Sequence, residues 1–119
     1  MKPRGGYFKK ILNIDLSRGT ANRSDVSDEF ALKYVGGRGW GARITWDNLQ
    51  PGIDPLSAGN LITIAPGPLN GLLVPASGKT SFCCISPATG LYADSNMGGS
   101  FGTEMRMAGL DALSIRGRA

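Results

Sequence analysis

From Phe8 to Leu16 the chain alternates. Phe8, Leu12, Ile14 and Leu16 share one face with Lys10, while Ile11 stands alone among polar residues on the other. A period of two predicts a β-strand. Ser17-Arg18-Gly19 turns it into a shorter, polar strand from Thr20, expected at a sheet edge. The period then lengthens. Ser27 is placed to cap a helix whose first turn carries Asp28 and Glu29, carboxylates that suit the positive helix end. Phe30, Ala31, Tyr34 and Val35 make its apolar stripe, and Gly36-Gly37 is expected to stop it. The cluster Gly36-Gly37-Arg38-Gly39-Trp40-Gly41 predicts a tight turn into a second helix over Ala42 to Leu49, with Trp40, Ile44 and Trp46 as its inward candidates.

Pro51-Gly52 and Asp54-Pro55 mark Gln50 to Asn60 as loop. Leu61 to Ala65 is a short continuous apolar run, the pattern of a central strand, and Pro66-Gly67-Pro68 must end it. Asn70-Gly71 predicts a hairpin turn into Leu72-Leu73-Val74. The densest stretch follows, Pro75 to Gly102. Lys79 to Ile85 reads as a strand, Ser86-Pro87-Ala88-Thr89-Gly90 as a turn, and Leu91 to Asp94 as the returning strand. Asn96-Met97-Gly98-Gly99-Ser100 is expected to be a glycine loop, with positive φ at Gly98 and a backbone that something can approach closely. It leads into a short helix, Phe101 to Met107, whose unpaired N–H groups suit an anion, with Lys79 as countercharge. Ala112 to Arg116 reads as a last strand. The elements add up to an α+β class: a β-sheet-rich domain with short helices.

Composition narrows the function. The 119 residues make one domain or a piece of one, and 41% apolar content supports a core. The net charge of +4 suits phosphates or an acidic partner, but the basic residues are scattered, which argues against nucleic acid. No apolar run approaches twenty residues and the start lacks a signal-peptide pattern, so no membrane is implied and a cytoplasmic location is expected. With no histidine and two adjacent cysteines, Cys83 and Cys84, the chain cannot build a closed zinc or iron–sulfur site alone. Both thiols read as small hydrophobes. Gly78-Lys79-Thr80 is not a phosphate-binding NTPase loop, because the required earlier glycine is Leu73 and a strand follows. The first glycine cluster fails as a dinucleotide fingerprint in the same way, since it follows a helix. Gly37, Gly39 and Gly41 read as a helix–helix turn. Arg38 is either a solvated charge or a contact to a ligand or another domain.

Several segments recur together in one family. They are Gly6 to Gly19, Gly36-Gly37-Arg38-Gly39, Asp54-Pro55-Leu56-Ser57, and Ala65-Pro66-Gly67-Pro68-Leu69-Asn70-Gly71. Ser86 to Gly90, Asn96 to Glu104 and Ala108 to Ala119 follow in the same order. Each is weak alone, but in this order the chain resembles the N-terminal region of the tungsten-containing aldehyde ferredoxin oxidoreductases.

That resemblance implies a two-sheet pterin-binding base, of which residues 1–119 form a partial N-terminal, pterin-cradling domain. It implies tungsten (or molybdenum) held by two molybdopterins bridged through magnesium, shared with domains outside the chain, and a 4Fe-4S cluster ligated elsewhere. The implied reaction oxidises an aldehyde to a carboxylic acid and passes electrons through the cluster to ferredoxin. The family's N-x-G-G contacts carry over to Asn96, Gly98 and Gly99 as cofactor-binding residues, and no catalytic or metal-ligating residue falls in this chain. Lys79 stands where the family commonly has an arginine between pterin and cluster. It keeps the charge without the planar fork, and so suits a phosphate or pterin contact. Partners are then the remaining domains or a second subunit, and ferredoxin. The chain alone is expected to be inactive and to pair as a homodimer. The alternative is a stand-alone anion- or nucleotide-binding β module without redox activity.

Overall fold

The computed structural model describes residues 1–3 and 5–119; Arg4, in the opening stretch before the first strand, lies outside the described residues. Strands β1 (Lys10–Asp15) and β2 (Thr20–Asp25) form the expected antiparallel hairpin, with β2 exposed along its length. Helix α1 (Asp28–Tyr34) starts at Ser27, whose hydroxyl accepts from the Phe30 N–H at 3.1 Å. Its end is tighter than Gly36-Gly37 alone suggests. Val35 takes φ 64° and ψ −55°, and the Gly36 N–H reaches back to the Tyr34 carbonyl at 2.7 Å. That is a γ-turn, a strained conformation for a β-branched residue.

Helix α2 (Gly37–Asn48) corrects the sequence reading, since it begins inside the glycine cluster and not at Ala42. Tertiary packing overrides the poor helix propensity of glycine here. A Cβ at Gly39 would lie 2.2 Å from the Tyr34 carbonyl oxygen, and one at Gly41 would lie 2.2 Å from Cys83 Sγ. Without those side chains, α2 can start against the end of α1 and lie directly on the sheet strand that carries Cys83. Trp40 and Ile44 are buried as expected, but Trp46 is 80% exposed. Trp40 stacks on Tyr7 and meets the edge of Phe30.

Beyond the loop of residues 49–60, β3 (Leu61–Pro66), β4 (Thr80–Ile85), β5 (Tyr92–Met97), α3 (Phe101–Met107) and β6 (Ala112–Arg116) complete the fold. Leu72-Leu73-Val74 does not form the expected strand: residues 67–79 run as successive turns, and all three side chains are exposed. Asn96 and Met97 continue β5 and pair with Ser81 and Thr80, so the glycine loop shrinks to 98–100. The sheet order is β2-β1-β6-β3-β4-β5, antiparallel except for β1 with β6.

Register assigns the two faces. Ile11, Ala112, Leu61, Ala65 and Cys83 lie under α1 and α2, and all but Cys83 join the main core around Trp40 and Ala31. Leu12, Ile14, Leu113, Ile115, Ile62, Ile64 and Phe82 line the other face, which is where the alternating residues of β1 point. There α3 covers one end, with Phe101 beside Phe82 at 6.2 Å between ring centroids. The rest is open: Ile62 is 46% and Leu16 44% exposed. The far end of α3 is anchored by a buried ion pair, Arg106 with Asp111. Asp111 also accepts from the Phe8 and Lys10 N–H groups, and Arg106 donates to the Gly6 carbonyl at 2.7 Å.

Candidate functional site

At one end of the β4–β5 hairpin, three turns converge. The ladder closes with Thr80 opposite Met97, so the chain entering β4 and the chain leaving β5 are neighbours. They meet through glycines, since a Cβ on Gly78 would sit 3.2 Å from the Gly99 carbonyl oxygen. This brings Lys79, Gly98 and Gly99 to one rim. Lys79 is exposed and makes no ion pair among the described residues. Positive φ falls at Gly99 (89°), not at Gly98 as expected; a Cβ on either would meet no protein atom within 4 Å. Both therefore border open space.

Asn96 lies two residues back, and its side chain is turned to the α2 face. Its Oδ1 accepts from the Ser81 hydroxyl at 2.9 Å and its Nδ2 donates to Asp94 at 3.3 Å. Arg38 reaches the same Asp94 carboxylate at 3.7 Å, and a Cβ on Gly37 would lie 3.3 Å from Ser81 Oγ. Thus the two glycine clusters, sixty residues apart in sequence, frame the same end of the hairpin. The sequence marked Arg38 but gave no sign of Ser81 or Asp94, whose roles depend on register across strands.

The third turn comes from residues 67–74. Asn70, read from sequence as a hairpin turn, is buried behind the rim. Its Nδ2 donates to the Lys79 carbonyl at 3.2 Å and its Oδ1 accepts from the Thr103 hydroxyl at 3.0 Å. Thr103 belongs to the first turn of α3, which has no side-chain cap and also carries Glu104. Gly102 makes this packing possible, because a Cβ there would fall 2.2 Å from Thr80 Oγ1 and 2.5 Å from Asn70 Nδ2.

The rim offers an ammonium, glycine backbone and amides. Among the described residues no group of three or more His, Cys, Asp or Glu side chains is arranged to hold a metal. Cys83 is fully buried against α2, and burial pushes its thiol up from the usual range. A mainly apolar cleft of about 610 Å³, lined by Trp46, Leu49, Ile53, Ile85 and Tyr92, lies at the opposite end of the hairpin. Among the described residues no helix is long and apolar enough to cross a membrane.

Three comparisons bear on this geometry. The family model described as aldehyde ferredoxin oxidoreductase, N-terminal domain, matches residues 11–119. The tungsten-containing aldehyde ferredoxin oxidoreductase of Pyrococcus horikoshii is 41% identical over 114 residues, which is 96% of this chain and 19% of that protein. An aliphatic sulfonate oxidoreductase, WOR-like subunit, of Pyrococcus furiosus is 35% identical over 116 residues, 95% of this chain and 18% of that protein. Among solved structures, the active site complex BamBC of benzoyl coenzyme A reductase, in complex with 1,5-dienoyl-CoA, superposes with a TM-score of 0.90 at 35% identity. The match covers 98% of this chain and 18% of that one. The chain therefore spans about a fifth of the length of the curated relatives it matches.

Proposed function

The chain belongs to the aldehyde ferredoxin oxidoreductase N-terminal domain family, and on that premise we propose that it forms part of the pterin-cradling base of a larger oxidoreductase. The donor set on the rim fits a phosphate-bearing pterin. An exposed ammonium and backbone without Cβ atoms facing open space can hold anionic oxygens at close range. Lys79, Gly98 and Gly99 would hold that group, and Asn96 would border it from β5. Tungsten or molybdenum on two molybdopterins bridged by magnesium, when bound, would supply the two-electron chemistry. This chain's residues would bind and orient the cofactor and exclude water from its phosphate end.

The metal ligands, the 4Fe-4S cluster and the substrate pocket would then lie in the rest of the enzyme, with ferredoxin as electron acceptor and an aldehyde as substrate. Such an enzyme would work in the cytoplasm, and residues 1–119 alone would turn nothing over. The half-open apolar face around Leu12, Ile14, Ile62 and Ile115 supports a place for the second half of the base. In the isolated chain a second copy would cover it, giving a homodimer at micromolar concentration. A monodisperse monomer in sedimentation at high concentration would refute that pairing.

The observation that carries the reading is the meeting of Lys79 with the Gly98–Gly99 loop through Gly78. In the cofactor-loaded enzyme, Gly98→Val should abolish tungsten loading without unfolding the protein, because a Cβ there meets no protein atom and enters the open space. Lys79→Ala should weaken cofactor retention and Lys79→Arg should preserve it. Parental tungsten content in both Gly98→Val and Lys79→Ala, by elemental mass spectrometry, would refute the reading.

A further inference from the structure

Asn70 is 1% exposed, yet it touches none of the open space at the rim. A buried primary amide has to pair its groups, and this one does so with two different segments. It holds the peptide carbonyl of Lys79, at the entry to β4, and the hydroxyl of Thr103, in the first turn of α3. Those segments flank the Gly98–Gly99 loop. Lys79 itself is exposed, and the Asn70 amide holds its carbonyl in place. The chemistry is specific: one group must donate to a carbonyl while accepting from a hydroxyl a few ångströms away. A leucine of similar volume does neither, and an aspartate turns an acceptor toward the carbonyl.

We infer that Asn70 is a positioning residue for the anion-binding rim, setting Lys79 against the Gly98–Gly99 loop without contacting the ligand. This rests on the reading that Lys79 contacts the cofactor. The test is a double-mutant cycle in the cofactor-loaded enzyme, comparing Asn70→Leu, Lys79→Ala and the double variant. The readouts are tungsten retained after dialysis and amide hydrogen exchange. Asn70→Leu should speed tungsten loss roughly tenfold, the scale of one buried hydrogen bond. It should add nothing in the Lys79→Ala background. Amides of residues 77–80 and 101–104 should lose protection while those of β1 and β2 keep theirs.

An equal loss from Asn70→Leu in both backgrounds would overturn the inference and leave the Lys79 reading standing. So would exchange that rises throughout the sheet. Parental retention in Lys79→Ala would overturn the Lys79 reading and the inference with it. Asn70→Asp keeps the volume and the Thr103 bond, and it carries the same cycle if Asn70→Leu yields no folded enzyme.

Discussion

Gly102→Ala tests how tightly the rim is built. The substitution favours helix by about 1 kcal/mol in a helix interior, so propensity alone predicts a more stable chain. Packing predicts the reverse. The new Cβ falls 2.2 Å from Thr80 Oγ1, 2.5 Å from Asn70 Nδ2 and 3.2 Å from Asn70 Cγ. Thr80 and Asn70 are both 1% exposed, so neither can swing out into solvent without repacking its surroundings. Overpacking of this kind costs about 1–3 kcal/mol, and displacing Asn70 weakens two hydrogen bonds worth about 1 kcal/mol each. The net is a loss of about 2 kcal/mol. With an unfolding entropy of about 0.25 kcal/mol/K for a chain of this length, Tm should fall by about 8 °C. Thermal unfolding followed by circular dichroism measures it, with Gly98→Ala as control, since no protein atom lies within 4 Å of that Cβ. A Gly102→Ala chain that melts at or above the parent temperature would refute the packing argument.

Gly41→Ala should destabilise by about 1–3 kcal/mol in urea, because its Cβ lands 2.2 Å from Cys83 Sγ and 2.7 Å from Cys83 Cβ; adding Cys83→Ala should restore only part of the loss, since that Cβ remains. Arg106→Met should cost about 3–5 kcal/mol by leaving Asp111 charged and buried without its partner. Replacing both residues by apolar ones should cost less than that single change. The Lys9 hydrogen bond holds the Asp28 carboxyl below its usual value of 3.8. A depressed folded pKa means its stabilisation is present above about pH 4 and is lost as pH falls through the lower folded value. Asp28→Asn should therefore flatten the acid limb of the stability curve, and an unchanged limb would show that Asp28 contributes nothing to it.

Much of this fold was legible because the signals were local. The alternation of β1, the Ser27 cap, the prolines at the end of β3 and the β-branched, aromatic and sulfur side chains of β4 each act within a few residues. What escaped depends on neighbours distant in sequence. Gly39 and Gly41 look like a turn until Tyr34 and Cys83 are placed beneath them, and only then does the gap they leave explain a helix. Leu72 to Val74 has strand composition but no strand to pair with, so its apolar character expresses exposure. At the rim, turn chemistry and the family resemblance single out Lys79, Gly98 and Gly99, and the structure brings these three together. The sequence offered no sign that Asn70 holds Lys79 and Thr103, because a buried amide and a turn asparagine read alike.

The placement of β6 has a consequence for how the chain comes to be folded. It follows β5 and α3 in sequence, yet it sits between β1 and β3 and hydrogen-bonds to both. Until residues 112–116 leave the ribosome, the β1–β2 hairpin and the β3–β4–β5 meander are separate pieces, each with a bare inner edge. Closing a pairing over about a hundred residues is slow, and a bare edge is open to other strands in the meantime. This five-residue strand thus works as a late fastening of the sheet, and nascent chains halted before Ala112 should be the ones that chaperones hold.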